Sequence, residues 1–337
     1  MIKSLASLRF VFAFMVFLHH IDVLEDAIGH AFFYTLSGFI LSYVYADRFQ
    51  QRRLSRKRFL QLRCSRLYPL YLLTFLLAIP LSIGWLKMEP LNWMVGAVST
   101  LLMVQSFIPD PNIYFSFNGL AWSLSDLFFF YALFPFLVVF LLRIQRWMVH
   151  GIFVLAAFLI LGAMFVVPES WQHWTFYINP LFRIVDFALG ILIYRWIRQA
   201  DFGVYQLRYT YAELLSLGLL ILFYSQAHWF PKVIRYSLYY WIPMVSLITV
   251  FALQKGRLSQ WLSHPVLLFL GELSFGFYLY HQLILRYMER MNERFLWTES
   301  IAVLNSITFV LIIALCWLSY RFFEQPLKQR LRRHFFN

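Results

Sequence analysis

The chain has 337 residues, of which 61% are hydrophobic and 13% charged, and its formal net charge is +13. A soluble globular chain carries less apolar surface and more charge, so this composition excludes an ordinary soluble domain and indicates a membrane protein. The apolar runs are long and continuous rather than alternating, which favours transmembrane helices over an outer-membrane barrel.

The positive charge lies in clusters between the apolar runs. Clusters of this kind mark cytoplasmic loops, so we assign the charge to membrane topology and not to nucleic-acid binding. They predict an all-α, polytopic bundle of about ten transmembrane helices with both termini in the cytoplasm, built as one transmembrane domain over residues 1–337 with no soluble C-terminal domain. The clusters are Arg48–Arg66, Arg143 with Arg146, Arg195 with Arg198 and Arg208, Lys255 with Arg257, and Arg321 with Lys328, Arg330, Arg332 and Arg333.

The first apolar run, Ser7 to Ile21, contains Arg9 and His20, which lie eleven positions apart. Ionisable groups at membrane depth are costly and by default suggest function. A helix rises 1.5 Å per residue, so the two side chains fall near one face and about 16 Å apart along it. We predict an uncleaved first span that carries a functional cation and a functional imidazole.

The segment RCSRLYP places Arg63 and Arg66 three positions apart at the start of a predicted helix, so they share a face. Paired guanidinium groups bind phosphate or pyrophosphate bidentately. Anchoring of the membrane orientation explains the same pair, and spacing alone favours that simpler role. Between this helix and the next basic cluster, the short apolar run from Asn92 to Phe107, within residues 86–119, is interpreted as a re-entrant or interfacial piece.

A polar group of side chains stands near the end of a later span, in the segment that begins Trp122-Ser123 and includes Asp126. A carboxylate at that depth requires a partner or water. These residues are therefore candidates for binding an acceptor molecule or for orienting the reacting groups.

Two further polar sites have simple structural explanations beside the functional ones. Arg183 and Asp186 lie at i and i+3, the spacing of a helix-stabilising ion pair. His281 ends its predicted span, where a histidine more often serves as a polar cap than as a catalyst. Both Arg183 and His281 stay on the list of acceptor-binding or orienting candidates.

Taken in order, these segments resemble the membrane acyltransferase 3 family, which O-acylates bacterial surface glycans. Each segment alone is weak, but the ordered set along the whole chain is specific. One departure occurs: the family usually follows WSLS with a variable residue and then glutamate, and here Leu127 stands in the place of the glutamate, directly after Asp126. The matching segments are Arg9 with His20, FFYTLSGF (32–39), Arg63 with Arg66, WSLS (122–125), SFGFYLYH (274–281) and EQP (324–326).

The resemblance implies transfer of an acyl group, most commonly acetyl, from cytoplasmic acyl-CoA to a hydroxyl of an extracytoplasmic or lipid-linked glycan. His20 would act as general base or as acyl carrier, with Arg9 as its partner in holding the donor or stabilising the oxyanion. Arg63 and Arg66 would bind the phosphates of the donor. Acyl-CoA is then a co-substrate, and the resemblance implies no permanently bound cofactor and no metal. It also implies that the protein lies in the bacterial inner membrane, in contact with membrane lipid.

Other classes of protein share some of these features. A flippase of lipid-linked sugars also needs about ten helices and buried charges, although paired broken helices in two related halves are not evident. A glycan polymerase would favour larger outer loops. A noncatalytic member of the family is a further alternative, because Leu127 replaces the glutamate. Consumption of a thioester separates the transferase from the flippase.

Overall fold

The structure is a computed structural model that describes residues 2–25, 28–200, 206–327 and 330. These residues form helices and connecting turns without a strand, which confirms the all-α prediction. Lys328, Arg332 and Arg333 of the basic tail lie outside the described residues. The α-helices are α1 (Lys3–His20), α2 (Gly29–Gln50), α3 (Arg56–Ala78), α4 (Ile83–Met88), α5 (Pro90–Leu101), α6 (Pro111–Tyr114), α7 (Trp122–Arg143), α8 (Arg146–Val166), α9 (Glu169–His173), α10 (Pro180–Gln199), α11 (Gln206–Gln226), α12 (Lys232–Arg235), α13 (Trp241–Ala252), α14 (Arg257–Leu262), α15 (Pro265–Phe295) and α16 (Ile301–Ser319).

Several helices have the length and composition of membrane spans. A helix of about 20 apolar residues crosses the hydrocarbon core, and five stretches of the described chain meet that requirement. Helix α5 has 12 residues, a length of about 18 Å that is too short to cross. The count of ten spans, the cytoplasmic termini and the re-entrant piece stay predictions. The five stretches are Arg56–Met88, Trp122–Arg143, Arg146–Val166, Glu169–Gln199 and Ile301–Leu327.

Glycines bring the central helices into close contact. A Cβ atom built on Gly38 of α2 would overlap the backbone carbonyl of Phe187 on α10, and one built on Gly190 would overlap the carbonyl of Thr35. Small residues at such crossings let two helix backbones approach closely in a membrane, where no hydrophobic effect drives the helices together. Helices α2 and α10 are therefore locked at a short distance by reciprocal glycines.

Helix α1, which carries Arg9 and His20, is fixed on two sides. Against α15, a Cβ atom on Gly271 would overlap the carbonyl of Ala6, so these backbones are also in contact. Against α2, the ring of Phe12 stacks on that of Phe32 with centroids 3.7 Å apart. This packing holds α1 between α2 and α15, and α15 supplies polar partners to both Arg9 and His20.

Candidate active site

Two cavities of similar volume lie along α1. The first, about 450 Å³, is called the histidine cavity. The second, about 440 Å³, is called the arginine cavity. His20 lines the first and Arg9 the second, so the two predicted functional groups of α1 face different spaces. Defining residues of the histidine cavity are His20, His30, Trp122, Lys232, Arg235 and Arg286, and those of the arginine cavity are Arg9, His30, Arg63, Arg66, Leu127 and Tyr131.

His20 contacts His281 across the interface between α1 and α15. Nδ1 of His20 lies 2.8 Å from the carbonyl oxygen of Val16, which can only accept, so this nitrogen carries the proton. Nδ1 of His281 lies 3.1 Å from the carbonyl of Phe277, which leaves its Nε2 unprotonated in the neutral ring. That Nε2 lies 3.4 Å from Nδ1 of His20.

These hydrogen bonds assign the tautomer of His20. Because its Nδ1–H is shared between Val16 and His281, the lone pair of the neutral ring is on Nε2. His20 is half-buried and lines the histidine cavity, whereas His281 is fully buried behind it. The structure therefore places a candidate base in the cavity and an orienting imidazole at its back.

Three guanidinium groups converge on the arginine cavity. Arg9 donates from Nη2 to the carbonyl of Gly271 at 3.1 Å. Arg63 donates from Nη2 to the hydroxyl of Tyr45 at 2.6 Å and lies 5.0 Å above that ring, and Arg66 is exposed. No carboxylate occurs among the described residues that line this cavity. Such a cluster suits a group that carries phosphates. Arg9 belongs to it and therefore lines a different cavity from His20.

A polar wall divides the two cavities. His30 is buried and lines both of them. Its Nε2 lies 2.9 Å from the hydroxyl of Tyr278 and its Nδ1 lies 3.1 Å from the hydroxyl of Tyr177. Tyr278 is in turn 2.7 Å from Oγ of Ser123, and Trp122 packs on the His30 ring at 4.8 Å. Two of the predicted residues, Trp122 and Ser123, thus belong to the wall.

The sequence reasoning missed His30. An ionisable residue next to the apolar FFYTLSGF segment was the available signal, because such a residue at membrane depth suggests function by default.

The structure separates Asp126 from Leu127. Asp126 is fully buried and accepts a hydrogen bond from the hydroxyl of Tyr34 at 2.8 Å, and it lines neither cavity. Leu127 lines the arginine cavity. Adjacent helical positions differ by about 100°. The position of the family glutamate is therefore directed into the cavity, and the carboxylate of this chain is directed away from it.

Arg183 and Asp186 form an ion pair at 3.0 Å, with both side chains fully buried. Asp186 Oδ1 also accepts from Oγ of Ser237 at 2.5 Å and from Nε1 of Trp241 at 2.7 Å. Arg183 donates from Nη1 to the carbonyl of Tyr236, a residue that lines the histidine cavity. The pair thus fastens the segment that forms one wall of this cavity.

A tyrosine outside the apolar spans supports the same wall, where the ring of His173 packs on that of Tyr236 with centroids 5.9 Å apart. The hydroxyl of Tyr114 on α6 lies 3.2 Å from Nδ1 of His173, and His173 lines the histidine cavity. Burial raises the pKa of Tyr114 to about 12, with the nearby Asp110 adding to the shift. Tyr114 consequently keeps its proton at neutral pH and can donate it to the imidazole.

Comparison with known proteins places the chain among acyltransferases. A sequence model of the acyltransferase 3 family, described as an acyltransferase domain, matches residues 2–321. The chain is 31% identical over 291 residues to the acyltransferase MdmB of Streptomyces mycarofaciens, an alignment that covers 81% of this chain and 71% of that protein. No solved structure matches. The matches favour the transferase over the flippase and the polymerase.

Proposed function

The chain belongs to the acyltransferase 3 family and is an acyltransferase, and we propose that it moves an acyl group from acyl-CoA in the arginine cavity to a glycan hydroxyl in the histidine cavity. The observation that carries this proposal is the meeting of the two cavities at His30. One side offers three guanidinium groups to an anionic donor. The other offers the Nε2 lone pair of His20 to a hydroxyl.

The donor chemistry matches the arginine cavity. Acyl-CoA carries phosphates at one end and the thioester at the other, joined by an extended arm. Arg63 and Arg66 bind the phosphates, since guanidinium groups form strong, charge-assisted bonds to phosphate oxygens. The arm then runs along α1 past Arg9 towards the wall at His30. Arg9 and His20 are eleven residues apart, about 16 Å of helix rise, a distance that the arm spans.

This assignment sets the orientation in the membrane. Acyl-CoA is a cytoplasmic metabolite, so the arginine cavity faces the cytoplasm and the histidine cavity faces outward in the bacterial inner membrane, surrounded by lipid. The basic cluster at Arg48–Arg66 is on the same side, as the positive-inside rule requires. An extracytoplasmic or lipid-linked glycan is then the acceptor, and acetyl is the first acyl group to test.

The reaction proceeds through the lone pair on Nε2 of His20. As the glycan hydroxyl oxygen attacks the thioester carbonyl carbon, Nε2 takes its proton, and collapse of the tetrahedral intermediate breaks the carbon–sulfur bond. The proton then passes to the departing thiolate, which leaves as CoA. General-base assistance of this kind accelerates a reaction by about 10²- to 10⁴-fold. In the covalent alternative, Nε2 itself attacks the thioester carbonyl and breaks the carbon–sulfur bond, which expels the CoA thiolate; the hydroxyl then attacks the acyl-imidazole, breaks the carbon–nitrogen bond, and its proton goes to the thiolate.

The testing experiment measures acyl ester in surface polysaccharide by NMR or mass spectrometry. A deletion strain is complemented with the chain, with His20→Ala, or with His150→Ala at matched expression. His150 is the control because it is exposed, packs on Trp196 and lines neither cavity. CoA release is measured in the same membranes.

Ester and CoA release are expected with the chain and with His150→Ala, and neither with His20→Ala. Ester restored by His20→Ala would assign His20 a structural role. CoA release without ester on any glycan would support acyl transfer but contradict the proposal that a glycan is the acceptor. Absence of both acyl ester and CoA release with the unaltered chain would indicate a noncatalytic member of the family.

A further inference from the structure

The histidine cavity has an excess of positive charge that the chemistry of acyl transfer does not require. Lys232 and Arg235 on α12 and Arg286 on α15 line it. The only carboxylate among its described lining residues is that of Glu25. Three cations thus stand against one carboxylate in the space that contains His20.

Two of these cations form no salt bridge within the described chain. Ion pairs in the described residues join Arg183 to Asp186 and Arg198 to Asp47, and they include neither Lys232 nor Arg286. Arg286 is half-buried and donates from Nη1 to the carbonyl of Phe117 at 2.7 Å. That bond fixes the guanidinium, which has five N–H donors in all and so keeps others for a ligand.

A neutral sugar in this cavity would displace water from the cations without compensating their charge, and desolvating a charge in this way costs free energy. An anionic group would compensate it through charge-assisted hydrogen bonds. We propose that the acceptor carries an anionic oxygen group, a carboxylate or a phosphate, that binds Lys232, Arg235 and Arg286 while a hydroxyl of the same molecule reaches His20. This inference rests on the proposed function.

The size of the cavity limits how far apart the two groups can be. Its volume of about 450 Å³ falls in the range of sites for small organic ligands. The anionic group and the acylated hydroxyl therefore belong to one sugar or to neighbouring units. Two sources provide such a group: a uronic acid within the glycan, or the phosphate that links a sugar to its lipid carrier.

Binding to the full chain in lipid nanodiscs tests the proposal without any need for turnover. The probes are trigalacturonate, its fully methyl-esterified and therefore neutral form, and inorganic pyrophosphate, each titrated with saturating CoA present. The methyl ester is a matched control because it keeps the sugar ring and removes the charge. Affinity is measured by calorimetry for the chain and for the variants Lys232→Gln, Lys232→Arg and Arg63→Gln.

At least one anionic probe is expected to bind about tenfold or more tightly than the methyl ester. Lys232→Gln is expected to weaken that binding severalfold, and Lys232→Arg to restore it. Lys232 is exposed, so its substitution leaves folding intact. Preference for trigalacturonate identifies a uronate acceptor, and preference for pyrophosphate a phosphate-linked one.

Equal binding of the methyl ester, or absence of binding by both anionic probes, would overturn the proposal. So would anion binding that is lost in Arg63→Gln but not in Lys232→Gln, because it would belong to the arginine cavity. CoA release from acyl-CoA is measured on the same samples. Thioester consumption without anion binding would reject this inference alone, and anion binding without thioester consumption would reject the proposed transfer alone.

Discussion

The contact between His20 and His281 leads to a quantitative prediction. His281→Phe removes the nitrogen that faces Nδ1 of His20. The new ring suits its surroundings, because His281 already packs against Phe17 and Phe277 with centroids 6.2 Å and 5.8 Å away. The variant therefore tests the hydrogen bond rather than the packing.

The expected loss is moderate because a second acceptor remains. The bond to His281 is long, at 3.4 Å, whereas the bond to the carbonyl of Val16 is 2.8 Å and continues to hold the tautomer. A net hydrogen bond contributes about 1 kcal/mol, which corresponds to a fall of about fivefold in kcat. Loss of the His20 base itself is expected to lower kcat by about 10²- to 10⁴-fold.

The assay is the initial rate of CoA release by the purified full chain in nanodiscs, with kcat and KM for acyl-CoA determined separately. KM is expected to stay unchanged, because His281 lines neither cavity. His281→Gln places an amide oxygen near the lost nitrogen and is expected to recover part of the rate. A loss in His281→Phe as large as that in His20→Ala would refute the reasoning, since His281 would then take part in the chemistry directly.

Three further substitutions test the surroundings of the site. Arg63→Gln is expected to raise the KM for acyl-CoA about tenfold with little change in kcat, as measured by CoA release, because a charge-assisted phosphate bond of about 1.5 kcal/mol or more is lost. Arg183→Ala leaves the carboxylate of Asp186 buried without its partner and is expected to lower the free energy of unfolding by about 3–5 kcal/mol, measured by denaturation in detergent; an unchanged stability would contradict it. Gly38→Ala forces a methyl group onto the carbonyl of Phe187 and is expected to lower the melting temperature, whereas an unaltered melting temperature would show that α2 and α10 can separate freely.

The helical class of this chain could be predicted from composition alone, because only helices satisfy every backbone hydrogen bond within such continuous apolar segments. The pairing of His20 with His281 could not be predicted, since 261 residues separate them and one sequence does not reveal which helices are neighbours. The i, i+3 spacing of Arg183 and Asp186 did predict their ion pair. It did not predict that the pair also holds the carbonyl of Tyr236 at the wall of a cavity.

The segment after Trp122 shows how one position changes the electrostatics of a site. Asp126 lines neither cavity, and its carboxylate accepts a hydrogen bond from Tyr34 in the buried interior. A rotation of about 100° around the helix axis separates its side chain from the place of the family glutamate. Leu127 in that place leaves Arg9, Arg63 and Arg66 without a carboxylate in the described lining of their cavity. A lining with an excess of positive charge strengthens attraction for a polyanion. Under the proposed function, the departure from the family pattern therefore favours donor binding, while His20, in the other cavity, keeps its own partners.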